Sequence, residues 1–99
     1  MPVTIFRSRL RSENSEKYYQ WSERMNELAK AMPGYVSHKG FTAPDGERVT
    51  IVEFSDFESQ KAWAQHPEHR EAMKLGRAEF YEDYEIIVCD VVRRSAKKK

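Results

Sequence analysis

The sequence predicts an α+β domain, a four-stranded antiparallel sheet with its helices on one face. Three observations predict it. Apolar residues alternate at period two in some stretches and recur at spacings of three and four in others. These stretches follow one another in the order β-α-β-β-α-β. The two middle strands are joined by Pro44-Asp45-Gly46, where Pro presets φ and Gly supplies positive φ, so they form a hairpin. With 99 residues the chain is one domain long. The domain is assigned to residues 1–94 and a basic C-terminal tail to residues 95–99.

The first strand is predicted over residues 2–12. VTIF at 3–6 is β-branched and aromatic, Arg7, Arg9 and Arg11 share one face, and Phe6 and Leu10 share the other. Ser12 or Asn14 can cap the helix that follows by accepting from an early helical N–H. That helix is predicted from Ser15 to Met32, because Tyr18, Trp21, Met25, Leu28, Ala29 and Met32 form one apolar stripe. Pro33-Gly34 ends it. Strands follow at Tyr35–Thr42 and Arg48–Phe54. Ser55-Asp56-Phe57-Glu58 fits a capping box and opens a helix to Gln65. His66-Pro67 interrupts it, and Pro67 can occupy the first position of a short helix to Gly76. A last strand is predicted over Tyr84–Arg94. This order gives the ferredoxin-like arrangement.

Composition excludes several classes. Twelve aromatics and a net charge of +1 are not those of a disordered chain. No apolar run approaches the roughly 18 residues of a membrane helix. The N-terminus has no charged-then-apolar leader pattern, and Cys89 is the single cysteine, so a reducing cytoplasm is the expected compartment. The net charge conceals a split. Arg93, Arg94, Lys97, Lys98 and Lys99 are all cationic, which leaves residues 1–92 at −4. Basic charge confined to a tail is not a nucleic-acid footprint. Lys39-Gly40-Phe41 starts like an RNA-recognition motif, but it lies on the second strand and runs into Thr42-Ala43-Pro44. No nucleic-acid or membrane partner is expected.

The last strand bears on assembly. Ile86 and Val88 point one way, and Ile87, Cys89 and Val91 the other. The third strand likewise sets Val49 and Ile51 against Val52 and Phe54. Helices can cover one such face only, so the sequence predicts a homodimer with sheets meeting face to face, a dimeric α/β barrel.

Candidate chemistry concentrates in residues 63–84, WAQHPEHREAMKLGRAEFYEDY. Helical spacing aims His69 inward with Ala72, Met73 and Gly76. Trp63, His66 and His69 form a ladder along a helix–sheet gap, provided the break at Pro67 does not swing it apart. An imidazole there can exchange a proton near neutral pH. The plainer alternatives are that His66 only ends a helix and that His69 is a satisfied, half-buried side chain. Arg77 can orient an anionic oxygen or pair with Glu79. Phe80, Tyr81 and Tyr84, with Tyr18, Trp21, Phe41, Phe54 and Trp63, are mainly core, yet their number also suits a pocket for a flat ligand. Two His three apart lack a third ligand, so no metal is expected. Cys89 reads as buried and inert. No phosphate loop, dinucleotide fingerprint or Gly-x-Ser-x-Gly occurs.

Pro33-Gly34-Tyr35, the strand VTIVEF at 49–54, Trp63, His66-Pro67-Glu68-His69 and Gly76-Arg77-Ala78-Glu79-Phe80-Tyr81 together resemble the antibiotic-biosynthesis monooxygenase family. The resemblance spans roughly Val3 to Val92. It implies a ferredoxin-like subunit, a homodimer with facing sheets, and an oxygenase that uses neither metal nor flavin. In such enzymes a small aromatic phenol or quinol loses a proton, and the carbanion reacts directly with O₂. Trp63 matches the family's helix tryptophan. Ser59 stands where polyketide-oxidising members carry Asn, and His69 where some carry Tyr. Haem-degrading relatives use a first-strand Asn and a His at the place of Met73, and this chain has neither. The expected function is therefore a cofactor-independent monooxygenase. His69 or His66 would be its base and Arg77 or Tyr81 its oxyanion partner. Trp63, Ser59, Phe41, Phe54, Tyr81 and Phe80 would line the substrate site. A non-catalytic dimeric binding or sensing module is the alternative, and haem binding a third reading.

Overall fold

The computed structural model describes residues 1–98. The elements run β1 (Pro2–Leu10), α1 (Ser15–Ala31), β2 (Tyr35–Thr42), β3 (Arg48–Phe54), α2 (Phe57–Ala64) and α3 (Pro67–Leu75). A π-helical turn (Gly76–Phe80) and β4 (Tyr81–Asp90) complete the chain. The strands form one antiparallel sheet in the order β2-β3-β1-β4, the ferredoxin-like arrangement that the sequence predicts.

Register fixes what each face carries. His38, Val52, Thr4 and Val88 form one row across the helix-covered face, and Gly40, Thr50, Phe6 and Ile86 the next. On the opposite face Ile51, Ile5 and Ile87 stand in a row. The core lies under α1 and α2, where Ala29, Phe54 and Trp63 are buried and Met25, Leu28, Met32, Tyr35 and Val52 pack around them.

Four local expectations change. β1 ends at Leu10, with one further bond from the Arg11 amide to the Phe80 carbonyl at 2.8 Å, where the π-helical turn replaces the partner strand. No side chain caps α1: Asn14 holds the cap position at φ 63°, and its Nδ2 donates instead to the Glu79 carbonyl at 3.4 Å. The α2 cap is Asp56, which accepts from the Ser59 amide at 2.7 Å. The Ser55 amide bonds the Gly34 carbonyl at 2.7 Å as an extension of the sheet, so it is not free for Glu58 to complete the expected box, and the Ser55 hydroxyl donates to Asp56. β4 begins three residues earlier than predicted and ends at Asp90.

That early start depends on two irregularities. The π-helical turn carries the chain from α3 directly into β4. The β1–β4 pairing then shifts between Arg9 and Leu10, which face Asp83 and Tyr81, so Glu82 is bulged out. Tyr81 and Tyr84, three apart, therefore both reach Phe6, at ring distances of 5.3 and 5.9 Å. Residues 91–98 form no regular element. Arg94 nevertheless binds the Glu53 carboxylate at 2.6 Å. Of the basic tail, Lys99 lies outside the described residues. No helix among the described residues is long and apolar enough to cross a membrane.

Candidate active site

A cavity of about 500 Å³ lies between the helices and the sheet. The rows that contain Thr4, Phe6, Thr50 and Val52 make its floor, with His38 at the β2 side. Tyr18, Trp21 and Met25 of α1 form one wall. Trp63, His69, Arg70 and Met73 of α2 and α3 form the other. Arg77, Phe80 and Tyr81 close the end at the π-helical turn. Ile86 and Val88 also line it yet stay 46% and 47% exposed, so the cavity opens toward the β4 edge. A space of this size, mostly apolar with a few convergent polar groups, is what a small aromatic ligand needs.

The break at Pro67 keeps the ladder of rings together. Trp63 and His69 stack with centroids 4.5 Å apart and planes at 36°, and His66 stands 5.7 Å from Trp63. The two imidazoles differ in what they do. His66 caps α3: its Nδ1 accepts from the Glu68 amide at 3.2 Å, and the side chain is not among the cavity's lining. His69 faces the cavity. Its Nδ1 lies 3.5 Å from the Ala64 carbonyl, a long contact. A carbonyl only accepts, so this contact places the proton on Nδ1 and leaves Nε2 with a lone pair. Burial holds the His69 pKa below the ordinary 6.5, outweighing the Ala64 contact that raises it.

The tyrosine end behaves in the opposite sense. Burial and the neighbouring Tyr18 hydroxyl push the Tyr81 pKa upward, so Tyr81 remains a protonated donor. Gly76 makes room for it. A Cβ on Gly76 would stand 2.5 Å from Tyr81 Cε2, so only glycine lets that ring lie against the backbone. Arg77 reaches the cavity without its expected partner, because Glu79 is bound by Lys17 at 3.1 Å.

Of the residues singled out from sequence, the structure brings Trp63, His69, Arg77, Phe80 and Tyr81 together. The other four stand apart from the cavity's lining. Phe54, 1% exposed, is core beneath α2. Phe41 pairs with Val49 on the opposite sheet face and lies under Lys39, 5.6 Å from its Nζ. Ser59 abuts Gly34, which has φ 81°, and a Cβ there would lie 2.5 Å from Ser59 Cβ. His66 is spent on its cap. Sequence reasoning missed His38, which lines the floor and shares a 2.6 Å hydrogen bond with the Tyr35 hydroxyl. Burial, and secondarily Lys30, lower its pKa too. Counting back from the Pro44-Asp45-Gly46 turn would have found it, since the hairpin register sets His38 opposite Val52.

The family model for antibiotic biosynthesis monooxygenase matches residues 1–75. The chain belongs to this family. The uncharacterized protein YqjZ of Bacillus subtilis (strain 168) is 33% identical over 92 residues, 93% of this chain and 80% of that protein. Among solved structures, an antibiotic biosynthesis monooxygenase homologue from Deinococcus radiodurans superposes with a TM-score of 0.85 at 9% identity, covering 100% of both chains. SnoaB, a cofactor-independent oxygenase from Streptomyces nogalater, superposes at 0.79 with 15% identity, covering 98% of this chain and 97% of that one. At such identities the structural likeness speaks for the fold alone. The matched span of the family model includes Trp63 and His69 but ends before Arg77, Phe80 and Tyr81.

Proposed function

We propose that the protein is a cofactor-independent monooxygenase that oxidises a small aromatic phenol or quinol with O₂. The observation that carries this reading is the neutral His69 imidazole, stacked on Trp63 and turned into an aromatic-walled cavity. His69 Nε2 takes the proton of the substrate hydroxyl, and Arg77 and the Tyr81 hydroxyl stabilise the resulting oxyanion, whose charge is shared with a ring carbon. The carbanion's electron pair forms the C–O bond to O₂, and the proton on His69 passes to the distal peroxide oxygen. Loss of the one hydrogen on that carbon as a proton then forms the carbonyl, breaks the O–O bond and expels hydroxide, which takes up the proton. The carbonyl keeps one oxygen atom and water carries the other. Trp63, Phe80 and Phe6 supply the flat walls.

Two sheets meeting through the Ile51–Ile5–Ile87 row complete the proposal as a homodimer. Ile51 and Ile87 are 36% and 37% exposed on a face that no helix covers.

Oxygen uptake with a panel of quinols and anthrones tests the chemistry. His69→Ala should lower turnover about a hundredfold, the usual worth of a general base. His66→Ala should cost about 1 kcal/mol of stability, the worth of a helix cap, and leave turnover near wild type. A larger rate loss from His66→Ala than from His69→Ala would overturn the assignment.

A further inference from the structure

Apart from Arg93, which follows β4, the arginines of this chain fall into two groups. Arg7 and Arg24 grip Glu47 and Glu68 through paired hydrogen bonds of 3.0–3.1 Å. Arg9 binds Asp45 at 2.9 Å, and Arg94 binds Glu53. Arg11 and Arg48 donate to the Tyr81 carbonyl and the Thr42 hydroxyl. Arg70 and Arg77 do none of this. Among the described residues neither has an ion-pair partner, and both line the cavity.

They are also placed as a pair. Arg70 lies in α3 and Arg77 in the π-helical turn that continues it, and both line the cavity, so they emerge on one face. Met73 stands between them on the same wall. No Asp or Glu lines this cavity, although the chain as a whole has sixteen. The result is two unmatched cations on the wall of an aromatic chamber, in a domain body that is otherwise acidic. A guanidinium fork matches a carboxylate, as Arg7 and Arg24 show in this same chain.

Charge counting then sharpens the substrate. This step rests on the oxygenase reading above. The oxyanion formed on deprotonation balances one guanidinium, Arg77, which lines the cavity from the same π-helical turn that leads into Tyr81. The second guanidinium needs a second anionic group. We propose that the substrate is a hydroxylated aromatic carboxylate, with Arg70 holding the carboxylate while Arg77 faces the ring oxygen. Arg70 is thus the residue that sets specificity, selecting acids over neutral quinols of the same shape.

The test uses 1,4-dihydroxy-2-naphthoate and its methyl ester as probes. Titration calorimetry under argon reads binding without oxygen chemistry. The acid should bind at least about tenfold more tightly than the ester, as a charge-assisted contact warrants. Arg70→Gln should bring the acid-to-ester ratio to about one, and Arg70→Lys should restore part of it, since charge returns without the fork. Raising salt should weaken the acid and spare the ester. Equal affinity for the two probes, no binding of the acid, or an unchanged ratio in Arg70→Gln overturns the proposal. Arg70 carries no internal contact whose loss would unfold the chain, and the melting temperature of each variant checks this. Oxygen uptake on the same probes separates the two readings. Discrimination without oxygen consumption retains the carboxylate site and removes the oxygenase, while turnover of the ester as fast as the acid does the reverse.

Discussion

The two faces of the sheet use the same residue types to opposite ends. On the open face Arg7, Arg9 and Arg94 are all matched by Glu47, Asp45 and Glu53, and the ion pairs flank a row of three isoleucines. On the helix-covered face the floor mixes Thr4 and Thr50 with Phe6 and Val52, and two arginines stand unmatched at the wall. Solvated ion pairs of this kind add little stability, but they leave no charge seeking a partner. The lesson is that these three arginines of the open face are each matched, while the two that line the cavity are not.

Substitutions can break this contrast in turn. Trp63→Ala should have the largest effect. Trp63 is 9% exposed and joins the core to the cavity wall. Its loss should cost about 3–5 kcal/mol in urea denaturation, the usual penalty for removing a buried indole. A cost below about 1 kcal/mol would mean that the helix-covered face is not the folding core. Ile51→Glu with Ile87→Glu should come next. Light scattering coupled to gel filtration should report half the wild-type mass, with the melting transition still cooperative. A monomeric wild type at micromolar concentration ends the sheet-to-sheet reading. Acidification is the gentlest probe and acts on the cavity face. His69 and His38 both have pKa values lowered by burial, so the unfolded chain binds protons that the folded one refuses. Their contribution to stability is complete above the unfolded value of 6.5 and is lost as pH falls from there through the lowered folded values. Melting temperature should decline over that window, less steeply in His69→Gln. A flat profile would place both imidazoles in water.

Much of this was legible in the sequence because it is carried by repetition. The α1 stripe, the hairpin turn and the two-sided apolar character of β3 and β4 each involve several residues that agree. Single-residue events were not legible. Moving the α2 cap from Ser55 to Asp56 changes no spacing, and only the Ser55–Gly34 and Asp56–Ser59 bonds reveal it. The π-helical turn and the bulge at Glu82 leave no mark in composition, so β4 was placed too late in the chain. At the site, the inward His69 followed from helical spacing. Ser59 and Phe41 could not be placed by the same means. Ser59 is held by the approach of Gly34, and the face of Phe41 depends on register rather than on its own aromatic character. His38 was overlooked because its neighbours Ser37 and Lys39 make that strand look wholly solvated.

Strand pairing counts residues modulo two, and β4 is the strand for which that count is least constrained by hydrophobicity. Ile86 with Val88, or Ile87 with Cys89, would satisfy a floor equally well. The bulge at Glu82 acts as a parity setting. It adds one residue to the count between Tyr81 and Tyr84 and so lets both rings fall on the side of Phe6. A substitution at Glu82 would change one exposed side chain. Without the bulge, the three-residue spacing would force a choice between losing Tyr81 from the cavity and turning the rest of β4 over; deleting Glu82 outright would instead leave a regular ladder with Tyr81 still opposite Leu10 and Tyr84 opposite Ser8. An odd spacing of two rings is therefore reconciled with one face of the sheet at a position that does not line the chamber.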